Sequence, residues 1–498
     1  MTLKDRLVAV AERQASSPAL WSAGESLNYA QFFAAASSLA AHLDRLLPPG
    51  AALGVHCERD RSAMIAILAA TLSNRPYVAL NPAFPLDRLR SVASLGDVGA
   101  IVCSPETQPV TEQILAGLAR PVLLINSVGD VLAGALDANR TDQTGTAYLM
   151  FTSGTTGTPK GVRVLNSNLL AYLDGIRPIA DLGPGARTTQ FFDLSFDLSV
   201  HDMFVTWDAG AELNMLPKSQ SMAIVDFARS RAVTSWFSVP SLAGFCDRLG
   251  QLTPGALPDV KTALFCGEPL PVSLARRFRA AAPNARIWNI YGPTEATIAF
   301  TAYEIAQPDE LDNHAVVPLG RPIGDQLVAL DGEGTAELLL GGSQVTPGYI
   351  NAPDQNDSKF MDRDGTRFYR SGDVASWSDR HGIEYHGRID DQVKINGYRV
   401  ELLEIDAALR KAAGTPEVAA IPWPVSETGH ADQVVGFVCG PKASSAEIRK
   451  ACRGTLAPYM VPRRIVEIER MPLNASGKID RRALRQMLDE EKRAGSEK

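Results

Sequence analysis

The chain of 498 residues is 45% hydrophobic and 21% charged, with 40 glycines and 32 prolines; this is ordinary globular usage and excludes collagen-like, coiled-coil and disordered classes. At this length several cores can be buried without disulfides or structural metals, and roughly 150 residues per domain suggests about three packing units. With 49 basic against 56 acidic residues the formal charge is −7, and without a long basic run the electrostatic footprint of a nucleic-acid binder is missing.

The first segment, MTLKDRLVAVAERQ, mixes charges into its apolar pattern and has no signal-peptide core. The longest apolar stretch, residues 64–72, is half of what a bilayer requires, so no membrane association is expected. Short apolar runs then alternate with helical patterns, as in AALGVHC before SAMIAILAATL and ARPVLLIN after VTEQILAGLA, which reads as repeated αβ units with buried strands. From about Val317 the texture changes to short alternating segments with turn residues (LVALDGEG, AELLLGGSQ, IEYHGR), the pattern of a small β unit. After GRIDDQVKI a compact α+β pattern follows, ending in a charged, fraying tail. The expected fold class is therefore α/β: a large N-terminal domain of αβ units with a small β subdomain (1–389), then a mobile C-terminal α+β domain (390–498). The six cysteines (Cys57, Cys103, Cys246, Cys266, Cys439, Cys452) show no CxxC spacing and the seven histidines no paired-ligand motif. Neither a zinc site nor a disulfide framework is indicated, and a reducing cytoplasm is the expected location.

Five segments carry chemistry. The run Thr152-Ser-Gly-Thr-Thr-Gly-Thr-Pro-Lys160-Gly161 between two strand-like segments puts three glycines among hydroxyls and a lysine, a loop able to wrap phosphates. It lacks the GxxxxGK[ST] spacing of a Walker loop. Asn289-Ile-Tyr-Gly-Pro-Thr-Glu295 offers a flat aromatic face beside a hydroxyl and a carboxylate suited to Mg²⁺ with phosphate oxygens. Tyr369-Arg-Ser-Gly-Asp373 ends in an aspartate able to hold both hydroxyls of a ribose. A dense polar run from Gly387 to Glu401 spans the domain joint, and Asn474-Ala-Ser-Gly-Lys478 lies near the C-terminus. Taken singly these are a surface turn, a Gly-Pro turn, a capped turn, a solvated linker and a solvated lysine.

In that order and at those separations, the five resemble the adenylate-forming superfamily of acyl-CoA synthetases, luciferases and nonribosomal peptide synthetase adenylation domains, from about residue 25 to 485. The resemblance implies ATP and Mg²⁺ chemistry in two half-reactions. A carboxylate attacks the α-phosphorus and releases pyrophosphate; a phosphopantetheine thiol then takes the acyl group from the acyl-adenylate. It implies that Thr152, Ser153, Thr155, Thr156 and Lys160 hold the β- and γ-phosphates. Tyr291 stacks on adenine, Asn289 and the Gly267-Glu268 backbone line the base, Thr294 contacts the α-phosphate, Glu295 binds Mg²⁺, and Asp373 takes the ribose with Arg388 nearby. Lys478 bridges the substrate carboxylate and the α-phosphate and is the main catalytic residue. Asp390 matches the hinge about which the C-terminal domain swings, and Gly397 lines the thiol tunnel.

Within the superfamily, Asp197 in FDLSFDLSVHDMF matches the aspartate that binds the α-ammonium in amino-acid-activating members; its plainer reading is a helix N-cap. The implied pocket is Asp197, Leu198, His201, Ser238, Leu264, Cys266, Ile290, Ile298 and Ala299. With no second carboxylate, lysine or arginine and with bulky walls, it favours alanine, serine or proline. Cys266 within LFCGEPL and the FDLSVHD run are similar to D-alanine:carrier-protein ligases and to free-standing alanyl or prolyl activators. His201 departs from the apolar residue expected in the former. No HHxxxDG motif occurs and 20 residues follow Lys478, so the expectation is a free-standing ligase that loads a small amino acid onto a separate carrier protein in nonribosomal-peptide-type biosynthesis. D-alanylation of the cell envelope and short-chain acyl-CoA synthesis are the alternatives.

Overall fold

The computed structural model describes residues 1–118, 123–125, 145–152, 159–307, 311–390, 392–395, 397–425, 431, 433–473 and 479–496. Contacts divide the chain into two compact units. The first comprises Met1–Pro82, Val92–Phe151 and Gly161–Ile389; the second comprises Ala83–Ser91, Thr152–Lys160 and Asp390–Lys498.

Three sheets build the first unit. Runs rich in Val, Ile, Leu and Ala pair in parallel, because strands covered on both faces need no polar alternation. One sheet has seven strands and includes Ala52–His56 between Tyr77–Ala79 and Val98–Cys103, with Thr146–Thr152 beyond Tyr77–Ala79. The other has nine, whose parallel run passes through Arg286–Tyr291, Thr262–Phe265, Ser235–Ser238, Arg187–Gln190 and Glu212–Met215. The third is the small β unit expected after Val317. It is a five-stranded antiparallel sheet in which the 13-residue strand Thr366–Ser378 pairs with Ala336–Gly341, Phe360–Arg363 and Gly382–Arg388. Covering helices supply the remaining apolar faces: Arg61–Leu72 is buried along almost its whole length, matching its uninterrupted apolar sequence.

In the second unit a hairpin, Gln392–Ile395 with Tyr398–Glu401, precedes a three-stranded sheet of Val418–Pro422, Val434–Cys439 and Arg464–Ile468. Arg88 and Glu404, both buried in this unit, are joined by an ion pair of 2.6 Å. Among the described residues no helix is long and apolar enough to cross a membrane.

Candidate functional site

Side chains alternate along the parallel strands of the nine-stranded sheet, and this alternation sorts them between two cores. Trp236, Ala263, Phe265 and Ile287 enter one; Phe237, Leu264, Cys266 and Ile290 enter the other. Leu198, Ile298 and Ala299 join this second group, so most of the pocket residues read from the sequence are gathered on one side of the sheet. Ser238 has a different neighbour. Its Oγ accepts a 2.8 Å hydrogen bond from Trp236 Nε1 on the opposite face. Phe237 joins the second group, its ring centroid 4.1 Å from that of His201. A one-residue step along a strand turns a side chain to the other face.

Asp197 is 3% exposed and sits at the start of the short helix Leu198–Val200. It does not act as an N-cap: its backbone is already helical (φ −66°, ψ −17°) and its side chain makes no capping hydrogen bond. The helix continues through a π-helical turn, His201–Val205, a rare local form that re-aims side chains and concentrates at functional sites. Two further acids of the segment are occupied locally. Asp193 accepts from the Ser195 amide at 2.8 Å and hydroxyl at 2.5 Å, and Asp202 accepts from the Phe191 amide at 3.3 Å. Burial pushes both carboxyls above the usual range.

Sequence reasoning missed a tyrosine cluster around Asp197. Tyr172 Oη and His201 Nδ1 are 2.6 Å apart, and burial pushes the imidazole down to about 3, so the ring is neutral at pH 7. Tyr77 and Tyr148, facing each other on adjacent strands with ring centroids 5.7 Å apart, bury hydroxyls that have no hydrogen-bond partner among the described residues. Desolvation first, and the charge of Asp197 second, raise both phenols. An orphaned buried hydroxyl costs about 1–3 kcal/mol, which a polar ligand or a water can relieve. Only long-range strand pairing could have shown these residues, since Tyr77, Tyr148 and Tyr172 lie well apart in sequence from Asp197.

The corner around Asp373 is built differently. Asp373 and Arg388 face each other across antiparallel strands, and Arg388 donates to Asp373 Oδ1 at 2.7 Å. Tyr291 donates its hydroxyl to Asp373 Oδ2, and burial followed by this carboxylate raises the phenol strongly. The Ser371 hydroxyl receives the Asp373 amide at 3.0 Å and donates to Leu338 O at 2.6 Å. A carboxylate offers about four acceptor sites; two are used, which leaves two for hydroxyls of a sugar. Asn289 spends both amide hydrogens on the carbonyls of Val317 (3.2 Å) and Pro318 (2.9 Å). The Glu268 side chain accepts from the Ser241 amide at 2.7 Å, while Gly267 adopts φ +89° with Val239 and Leu198 close by.

Thr294 and Glu295 open a one-turn 3₁₀ helix and are buried. Glu295 Oε1 accepts from Tyr349 Oη at 2.6 Å. The turn ends in Thr297 (φ 57°) and Ile298 (φ 71°), β-branched residues in the left-handed region, where strain persists only if the surroundings enforce it. Gln344, fully buried, does so: its Nε2 reaches the carbonyls of Ala296, Thr297 and Ala299, and its backbone carbonyl accepts from Thr297 Oγ1 at 2.6 Å. Gln344 and Tyr349 gave no signal in the sequence.

Thr152 ends one strand and Lys160 begins the next, Lys160–Leu165. Ser153, Thr155, Thr156 and Lys478 lie outside the described residues. In the second unit Asp390 Oδ1 accepts from the Gln392 amide at 3.3 Å, and Gly397 takes φ +85° in the hairpin turn.

Two family models match the chain: AMP-binding enzyme over residues 7–350 and the AMP-binding enzyme C-terminal domain over residues 404–478. The D-alanine--D-alanyl carrier protein ligase of Listeria welshimeri is 30% identical over 97% of this chain and 98% of its own length. A plipastatin synthase polypeptide of Bacillus subtilis is 33% identical over 93% of this chain, which spans only 18% of that much longer protein. Among solved structures, the Vibrio cholerae adenylation domain AlmE, in complex with glycyl-adenosine-5'-phosphate, superposes with a TM-score of 0.89 at 29% identity, covering 98% of each chain.

Proposed function

The chain belongs to the AMP-binding enzyme family, and from that premise we propose that it is a ligase that activates a small amino acid as its aminoacyl-adenylate and passes it to the phosphopantetheine thiol of a separate carrier protein. The observation that carries this reading is Asp197, a buried carboxylate at a helix start that does not cap the helix. A buried carboxylate is stabilised by an opposite charge, and an α-ammonium group brings one. The neutral His201, packed on Phe237 and bonded to Tyr172, fills the space beyond it. Together with the bulky Ile290 and Ile298 this favours a small side chain, with alanine, serine and proline as candidates.

The corner formed by Tyr291, Asp373 and Arg388 supports ATP as co-substrate, with the remaining acceptor sites of Asp373 taking the ribose hydroxyls. Glu295 and Thr294 present hard oxygens of the kind Mg²⁺ takes. When bound, that ion neutralises phosphate charge. The residues of this chain then act by orientation and charge. Asp197 fixes the ammonium end so that the substrate carboxylate faces the α-phosphorus; the Gln344-braced turn holds Thr294; and Lys478 stabilises the charge that grows as the carboxylate attacks and pyrophosphate leaves.

Relatives named D-alanine--D-alanyl carrier protein ligases at about full length favour a second reading, in which the amino acid is D-alanine. ATP–pyrophosphate exchange over glycine, both alanines, serine, proline and short carboxylic acids tests both. Exchange with a short fatty acid and with no amino acid would sink the role of Asp197. Transfer to free coenzyme A as efficient as to a carrier protein would favour an acyl-CoA synthetase.

A further inference from the structure

His314, His381 and Glu384 belong to none of the nucleotide or amino-acid segments, yet the first unit gathers them in one place. His381 occupies the turn between the strands Thr366–Ser378 and Gly382–Arg388, and Glu384 lies in the second of these strands. His314 lies in the connection from Thr301–Glu304 to Arg321–Pro322. The backbone itself brings these segments together: Leu319 N donates to Ile383 O at 2.8 Å, and Ile383 N donates to Gly320 O at 2.7 Å. Gly382, at φ +73°, has no room for a side chain against the Gly320 carbonyl.

Among the described residues this is the one group of three His, Cys, Asp or Glu side chains that can each turn a ligand atom to within 4.8 Å of the others. His314 Nε2 and Glu384 Oε1 are 3.5 Å apart, and the two imidazole rings have centroids 5.0 Å apart at 74°. A direct charge-assisted hydrogen bond closes to about 2.7–2.9 Å, whereas two ligands at ~2.0–2.1 Å on tetrahedral corners stand roughly 3.3 Å apart. The observed spacing is nearer the second case. Tyr303 Oη holds His381 Nδ1 at 2.9 Å, which makes Nε2 the ligand atom of that ring and supplies the outer partner that ligating histidines carry. His314 and Glu384 are each about a quarter exposed, so an ion has a route in.

We propose that His314, His381 and Glu384 form a binding site for a zinc-class divalent ion, outside the segments that carry the adenylation chemistry. Two imidazole nitrogens and one carboxylate suit late first-row ions and not Mg²⁺ or Ca²⁺, and three protein ligands leave a fourth position for water. Bound there, the ion clamps the connection 311–320 onto the hairpin formed by the strands Thr366–Ser378 and Gly382–Arg388. Asn289 hangs on the same connection through Val317 and Pro318, so the clamp bears on the wall of the nucleotide site.

The test uses the tag-free full-length protein, stripped with chelator and free of nucleotide, titrated with Co²⁺ and then Zn²⁺. The expected result is one equivalent of Co²⁺ with the intense visible bands of tetrahedral coordination, displaced by Zn²⁺, and a thermal midpoint that rises with Zn²⁺. His314→Ala trims a partly exposed ring and Glu384→Gln keeps the hairpin's shape; each weakens binding more than tenfold. Tyr303→Phe weakens it by about 10–100-fold, as loss of an outer partner does. No tetrahedral band in the wild-type protein, or binding that is equally strong in His314→Ala and Glu384→Gln while both retain the wild-type circular dichroism, overturns the proposal.

Discussion

Of the carboxylates that the first unit buries, Asp373 and Asp197 stand in different surroundings. Asp373 is met within the protein: Arg388 stands opposite it in strand register, at 2.7 Å, and Tyr291 donates to its other oxygen. Asp197 sits at the head of a helix it does not cap, amid the phenols of Tyr77, Tyr148 and Tyr172 and near a histidine kept neutral by burial. The first arrangement has its opposite charge within the protein. The second is a buried carboxylate whose charge, after desolvation, raises the phenols of Tyr77 and Tyr148.

Removing Asp197 should therefore give the largest effect, and in catalysis. Losing one partner of a buried, hydrogen-bonded charge pair costs about 2–5 kcal/mol, so Asp197→Ala should lower kcat/KM for the amino acid by about 10²–10³-fold in pyrophosphate exchange. Exchange with the matching des-amino acid should survive; an equal loss for both acids would mean that Asp197 holds the fold and not the ammonium. Arg388→Met, next in size, should be read in stability. Breaking a buried pair costs about 3–5 kcal/mol, so its thermal midpoint should fall and its KM for ATP should rise. A variant as stable as the wild type would erase the distinction between the two carboxylates.

The same contrast explains how much is legible from the sequence. The ribose corner is legible because hairpin partners are close in sequence: Asp373 and Arg388 are separated by a single turn, and each lies in a segment with its own turn and charge signature. The αβ texture, the small β unit after Val317 and the α+β run after Asp390 are legible for the same reason, since strand and helix periods are local. The pocket is legible only where it borrows a contiguous motif, as in the run from Asp197 to His201. Its tyrosines come from three distant elements, and an isolated apolar run fixes that a strand exists but not which residues face which side. Gln344, bracing the positive-φ pair Thr297 and Ile298 from 47 residues away, and the cluster of His314, His381 and Glu384 are hidden by the same sequence separation.

Tyr172→Phe probes the pocket more gently. It removes the hydroxyl bonded to His201 Nδ1, worth about 1 kcal/mol net, and frees the ring to change its tautomer and tilt. The overall rate for the best amino acid should fall about fivefold or less, while the preference between glycine and alanine shifts, because the same ring bounds the space where a methyl group would sit. Relative kcat/KM for the two substrates decides it: an unchanged ratio would show that packing against Phe237 is enough to hold the imidazole.

At neutral pH the smallest effect is a pH dependence carried by His201, which grows only as the medium becomes acid. Its folded-state value, pushed down to about 3 by burial, lies below the roughly 6.5 of an exposed histidine. Between these two values the unfolded chain binds a proton that the folded chain refuses, so the contribution to stability is complete above about pH 6.5 and is lost as the pH falls toward 3. The slope is about 1.4 kcal/mol per pH unit well below 6.5, and near pH 6 the loss is still only about 1 kcal/mol. Other buried groups titrate too: His56, pushed down to about 4, has the same sign, and Asp202, raised by burial, has the opposite sign. The informative quantity is therefore the difference between the wild type and His201→Gln in urea midpoints from pH 7.5 to pH 5. The gap should move in favour of the variant as the medium becomes acid, because glutamine leaves no proton to refuse. A gap that stays constant would mean that His201 takes up a proton as readily in the folded chain as in the unfolded one, and that burial does not hold its ring neutral.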